Sequence, residues 1–142
     1  MTLMIAALGP DTAPAQRLLT GLALDLAAAT SLWRPLVRYD TARRVTTRLP
    51  GPAGVEVWLG TWLPGQASDL HDHGSAVAAL VVVEGALVER SPDDGDRLVR
   101  IETGQVAVLG PGALHSVSND QPVPAVSIHV RTTTAARPAA RG

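Results

Sequence analysis

Apolar residues recur at helical spacing once in this chain and at strand spacing thereafter. Leu18, Leu19, Leu22 and Leu26 fall within 11–29 at the separations of one helix face, and they predict an amphipathic helix. Asp11 or Thr12 stands where a cap belongs, and Pro14 suits a first turn. Thr30 and Ser31 end the pattern, and Pro35 opposes a long continuation. Such periodicity implies burial alone, so the helix is expected to pack over one face of a sheet. From Tyr39 the character changes. Stretches 45–49, 55–62, 86–90, 98–102, 106–109, 115–118 and 126–131 each read as a short strand between turn residues. A further strand is expected to open at 71–73. The stretch 77–83, apolar throughout, reads as a strand buried on both faces. Many short strands with regular turn signals indicate a jelly-roll sandwich or barrel. The expected organisation is an N-terminal helical segment over 1–35 packed on a barrel at 36–131. A flexible tail at 132–142 lacks any periodicity. The fold class is all-β with an N-terminal helix.

Composition narrows the function. A chain of 142 residues suits one domain with one core. A net charge of −1 leaves no basic footprint for nucleic acid. The longest apolar run, 76–83, is far shorter than the ~20 residues that span a bilayer. Residues 3–8 are apolar but no Lys or Arg precedes them, which argues against a secretory leader. A cytoplasmic protein without nucleic-acid or membrane partners is therefore expected. With no cysteine there is no disulfide framework, thiolate ligand or cysteine nucleophile. The absence of Phe leaves the core to Val, Leu, Ile and Ala.

The four histidines carry the chemistry. His71, Asp72 and His73 form a His-Asp-His triplet, and His115 ends a Pro-Gly-Ala-Leu-His run. On a strand, residues at i and i+2 share a face, so His71 and His73 can converge, with His115 arriving from another strand. Three imidazoles on one side of a metal leave the other side open, as a catalytic site requires. Imidazole suits Zn, Cu, Fe and Ni, so the donors alone do not select the metal. Asp72, between the two, points the opposite way and is expected to bond backbone or a neighbouring strand.

Gly65 before the triplet, Gly85 after it, and the Gly104, Pro111, His115 and Asn119 series resemble the two signature motifs of the cupin superfamily. The glutamate ligand usual in the first motif falls on Ala78, which leaves three neutral imidazoles and no carboxylate. The segments 62–68, 71–74 and 83–89, with Pro111-Gly112, His115 and Ser127-Ile128-His129, look like the cysteine dioxygenase family of thiol dioxygenases. The resemblance covers roughly 33–131. It implies a cupin-type jelly-roll β-barrel with Fe(2+) on His71, His73 and His115. It also implies oxidation of a small thiol acid, such as cysteine or 3-mercaptopropionate, to its sulfinate with O2.

The resemblance further implies an arginine that binds the substrate carboxylate, in a Tyr-x-Arg pattern. Thr46-Thr47-Arg48 matches best and nominates Arg48, with a solvated arginine as the alternative. Ser127 and His129 alternate on one strand face, and by the family pattern His129 lies beside the site, hydrogen-bonded from Ser127. A fourth ligand or a core histidine remain alternatives. Ala78 also stands where animal members carry a crosslinked cysteine. The tyrosine expected two residues after His129 is Arg131, which could offer positive charge to an anion or mark altered activity. Trp62 is read as core. Two rival functions stay open: another metal-dependent cupin enzyme using Mn, Ni or Zn, and a non-catalytic cupin that binds a small ligand.

Overall fold

Helix α1 (Ala13–Ala28) forms where the leucines repeat, but its buried stripe is rotated from the expected one. Leu19 and Ala23 are fully buried, Leu22 and Leu26 pack at the margin, and Leu18 is left exposed. Thr12 is the N-cap residue without a side-chain cap. The helix breaks at Ala29 rather than Thr30, and its backbone leaves helical space there. A short helix α2 (Thr30–Trp33) and a 3-10 turn (Arg34–Leu36) carry the chain past Pro35. Trp33 is buried there, its Nε1–H donating to Ala27 O at 3.2 Å.

The computed structural model describes residues 4–5, 12–72 and 74–133. The expected tail, apart from Thr132 and Thr133, and most of the first eleven residues lie outside them, as does His73. Among the described residues there are nine strands, in chain order β1 (Met4–Ile5), β2 (Val45–Leu49), β3 (Val55–Trp62), β4 (Ala78–Glu84), β5 (Ala86–Ser91), β6 (Arg97–Glu102), β7 (Val106–Leu109), β8 (Ser116–Ser118) and β9 (Ala125–Thr132). Six form one sheet in the order β1-β7-β4-β9-β3-β2, and three form another in the order β6-β5-β8. Every pairing is antiparallel except β1 with β7.

The strand period of two divides the large sheet into two working faces. Val57, Leu59, Ala79, Val81, Val126, Ile128 and Val130 pack against Leu19, Ala23 and Trp33. Trp62, Leu80, Val82, Ala107 and Ala125 point the other way, onto Leu87, Ile101 and Val117 of the small sheet. β4 thus contributes to both cores, which is why it is apolar from Ala78 to Val83. At the β4–β5 junction Gly85 takes φ +76°, and a Cβ there would lie 2.7 Å from Pro124 O.

One expected strand start is corrected. The chain at 71–73 does not open β4, which begins at Ala78; His71 makes only an isolated bridge. The reason is local. Asp72 Oδ1 accepts the Gly74 N–H at 2.7 Å, and this side-chain turn competes with a sheet ladder.

Candidate metal and substrate site

The segment after the Pro64-Gly65 turn runs irregularly along β8. Gly65 N–H donates to Asn119 O, Ser68 N–H to Val117 O, and His71 N–H to His115 O, at 2.8–2.9 Å. His115 N–H returns a bond to His71 O at 2.8 Å. Residues that exchange both backbone bonds stand directly opposite, with their side chains on one face. The two imidazoles accordingly meet, centroids 4.6 Å apart and planes tilted by 55°.

Each ring is held through Nδ1. His71 Nδ1 donates to Asp69 O at 2.7 Å, and His115 Nδ1 donates to Glu89 Oε2 at 3.0 Å. Both bonds put the lone pair on Nε2, the tautomer in which an imidazole ligates a metal. The described pair therefore fits a divalent ion. Among the described residues no three candidate ligands gather, and His73, the remaining expected ligand, lies outside them.

Both rings line a cavity of about 270 Å³ between the sheets. Its opposite wall comes from the inner face of β3 and β9, where register sets which side chains neighbour each other. Gly60 pairs Ser127, Trp58 pairs His129 and Glu56 pairs Arg131. Trp62 Nε1–H donates to Ser127 Oγ at 2.9 Å, and Ser127 Oγ lies 2.7 Å from His129 Nε2. Trp62, expected as core, is buried, yet it also anchors this polar chain and stacks on His129 at 6.3 Å. Gly60 leaves room for it: a Cβ there would come within 3.3 Å of Ser127 Oγ and 3.4 Å of Trp62 Nε1.

The arginine nominated from sequence is not the one at the cavity. Arg48 is exposed, its guanidinium over the Trp58 ring at 5.2 Å, and it does not line the cavity. Arg44 does, half-buried, its guanidinium 4.3 Å from the Trp62 ring centroid. Two bonds deliver it there: Thr61 Oγ1–H donates to Arg38 O and Gln66 Nε2–H to Asp40 O, both at 2.7 Å. They tie the 38–44 segment to β3 and to the Pro64-Gly65 turn. Burial lowers the Arg44 pKa below its ordinary value, and the charge of Asp69 partly opposes this. The group stays cationic in any ordinary buffer. Among the described residues no carboxylate forms an ion pair with it.

Arg131 lines the cavity with its guanidinium on Glu56, Nε at 3.1 Å and a terminal nitrogen at 3.0 Å from Oε1. Burial pushes the Glu56 carboxyl up, but the hydrogen bond and charge of Arg131, with Trp58 and Arg48, outweigh it and hold it below the usual carboxylate range. From sequence, Arg44 is passed over among Arg43, Arg44 and Arg48, and Glu89 is given no role. Glu89 is buried at an inward position on β5, and a carboxylate amid Ala86, Leu87 and Val88 was the available signal.

Residues 17–134 match the family model described as cysteine dioxygenase type I. A search among curated proteins gave no match. Among solved structures, a protein of Thermus thermophilus is 26% identical, with 70% of this chain and 91% of that one covered at a TM-score of 0.63. A double-stranded β-helix protein of Klebsiella pneumoniae is 19% identical, covering 73% and 89%, TM-score 0.65. A cupin superfamily protein of Desulfitobacterium hafniense is 10% identical, covering 71% and 87%, TM-score 0.61. The last two likenesses concern the fold. No helix among the described residues is long and apolar enough to cross a membrane.

Proposed function

The chain belongs to the cysteine dioxygenase type I family of the cupin superfamily, and on that premise we propose that it is an iron(II)-dependent thiol dioxygenase. Its substrate is a small thiol acid of the cysteine or 3-mercaptopropionate type, which O2 converts to the sulfinate. One observation carries this reading: the facing His71 and His115 rings share a small cavity with a half-buried guanidinium that has no carboxylate partner among the described residues. The arrangement asks for an anionic ligand beside a metal.

His71, His73 and His115 would hold the iron, which supplies open positions for thiol and O2 and the redox chemistry that joins them. Arg44 binds the substrate carboxylate, its planar fork matching two oxygens at once. The Trp62 ring beneath it keeps the guanidinium from swinging into solvent and seals that wall from water. Ser127 Oγ accepts the Trp62 N–H and shares a 2.7 Å hydrogen bond with His129 Nε2. His129 is thereby fixed in one orientation at the cavity wall. Arg131 stands where the family resemblance implies a tyrosine, and Glu56 restrains it. The cytoplasm, where small thiols stay reduced, is the fitting compartment.

A non-catalytic binder is favoured by a single feature, Arg131 in place of that tyrosine. An oxygen-uptake assay on iron-loaded protein with a panel of thiols, with sulfinate detection, decides between them. Uptake with carboxylate thiols and sulfinate formation supports the enzyme; no thiol-dependent uptake across the panel favours the binder.

A further inference from the structure

The site reads from sequence as three neutral imidazoles without a carboxylate. The structure places a carboxylate one bond away. Glu89 lies on β5 opposite Val117 of β8, and His115 precedes Val117 by two residues on the same face. This makes Glu89 and His115 diagonal cross-strand neighbours, a separation a glutamate side chain can bridge. It does so at 3.0 Å, with His115 2% and Glu89 7% exposed. Leu87, two residues back, uses the same inward position for the inner core. A buried carboxylate at such a place is costly unless its partner requires it. The Nδ1 of His71, by contrast, donates to a backbone carbonyl.

We infer that Glu89 is the positioning residue of the metal centre, acting through His115. Its carboxylate fixes the Nδ1–H tautomer of His115, locks the ring plane toward His71, and lends negative charge that makes Nε2 a stronger donor to a divalent cation. The inference rests on the metal site proposed above. It divides the two described ligands by role: His115 is the strongly held, charge-assisted one, and His71, partly exposed on an irregular segment, the more adjustable.

Glu89→Gln keeps an acceptor for Nδ1 and removes the charge; Glu89→Leu removes both. In metal-free wild-type protein, long-range ¹H–¹⁵N spectra should show His115 as the Nδ1–H tautomer, and Glu89→Leu should populate both tautomers. Glu89→Gln should bind cobalt(II) about 10–100-fold more weakly at an unchanged metal-free unfolding temperature. Should the glutamine variant not fold, Glu89→Leu carries the affinity comparison, with a loss at least as large. Cobalt affinity within about twofold of wild type in the folded variant overturns the inference, since that lies below the range for such partners. A wild-type His115 protonated on Nε2 overturns it too. Wild-type protein that takes up no cobalt(II) contradicts the metal site itself and removes the inference with it, an outcome visible before any variant is made.

Discussion

Replacing Arg44 by alanine removes the one cavity guanidinium without a carboxylate partner among the described residues, and its effect should depend on whether the thiol carries a carboxylate. A hydrogen bond to a charged partner is worth about 1.5–3 kcal/mol, and a bidentate clamp makes two. Water entering the emptied half-buried space over the Trp62 ring recovers part of that. A net loss of roughly 2–4 kcal/mol follows, which is about 30- to 1000-fold in kcat/KM. Oxygen uptake should therefore fall by that factor for cysteine or 3-mercaptopropionate and hardly at all for cysteamine, which has no carboxylate. Arg48→Ala serves as the internal comparison, because Arg48 lies exposed over Trp58 and off the cavity lining. Equal losses for carboxylate and non-carboxylate thiols in Arg44→Ala would refute the clamp. A larger carboxylate-specific loss in Arg48→Ala would hand the role to Arg48.

His71→Ala should lose iron retention, measured by metal analysis, while far-ultraviolet circular dichroism still reports a folded barrel, because its bridge to His115 is made by backbone; unchanged iron content would refute the ligand role. Gly85→Ala should destabilise the fold by about 2–4 kcal/mol, since it combines positive-φ strain with a contact on Pro124 O, and a denaturant midpoint equal to wild type would contradict this. The Glu56 carboxyl is depressed by Arg131, so its stability contribution is present above the ordinary carboxylate pKa of about 4.3 and is lost as pH falls through the lower folded value. Side-chain exposure of 43% and 24% limits it to at most about 1 kcal/mol. Glu56→Gln should therefore be slightly less stable than wild type at pH 7, with the gap closing as pH falls through the lowered folded value, by thermal unfolding; a gap that widens toward acid would reverse the sign.

The strands were legible because two-residue alternation and turn chemistry act locally. β2, β3 and β7 fall where 45–49, 55–62 and 106–109 were expected. The helix was legible as an element, but not its buried stripe, since Leu18, Leu19 and Ala23 compete for one face and the sheet decides. At 71–73 a side-chain turn from Asp72 overrode the strand reading. The histidine pair could be found because its spacing announces it, whereas Arg44 and Glu89 could not be weighed the same way. Arg44, just ahead of β2, and Arg48 within it have equal parity, so alternation assigns both to one face. Only the register with β3, which sets Arg48 against Trp58 and leaves Arg44 beside Trp62, tells them apart. Glu89 follows the apolar Ala86-Leu87-Val88 run, which makes its carboxylate conspicuous, but Arg90 comes next and the partner strand decides that Glu89 faces inward.

The most direct test is the fate of oxygen. Iron-loaded protein given a carboxylate thiol under ¹⁸O2 should release a sulfinate in which mass spectrometry finds label in both oxygens. Disulfide alone, or a sulfinate whose oxygens come from water, would contradict the dioxygenase.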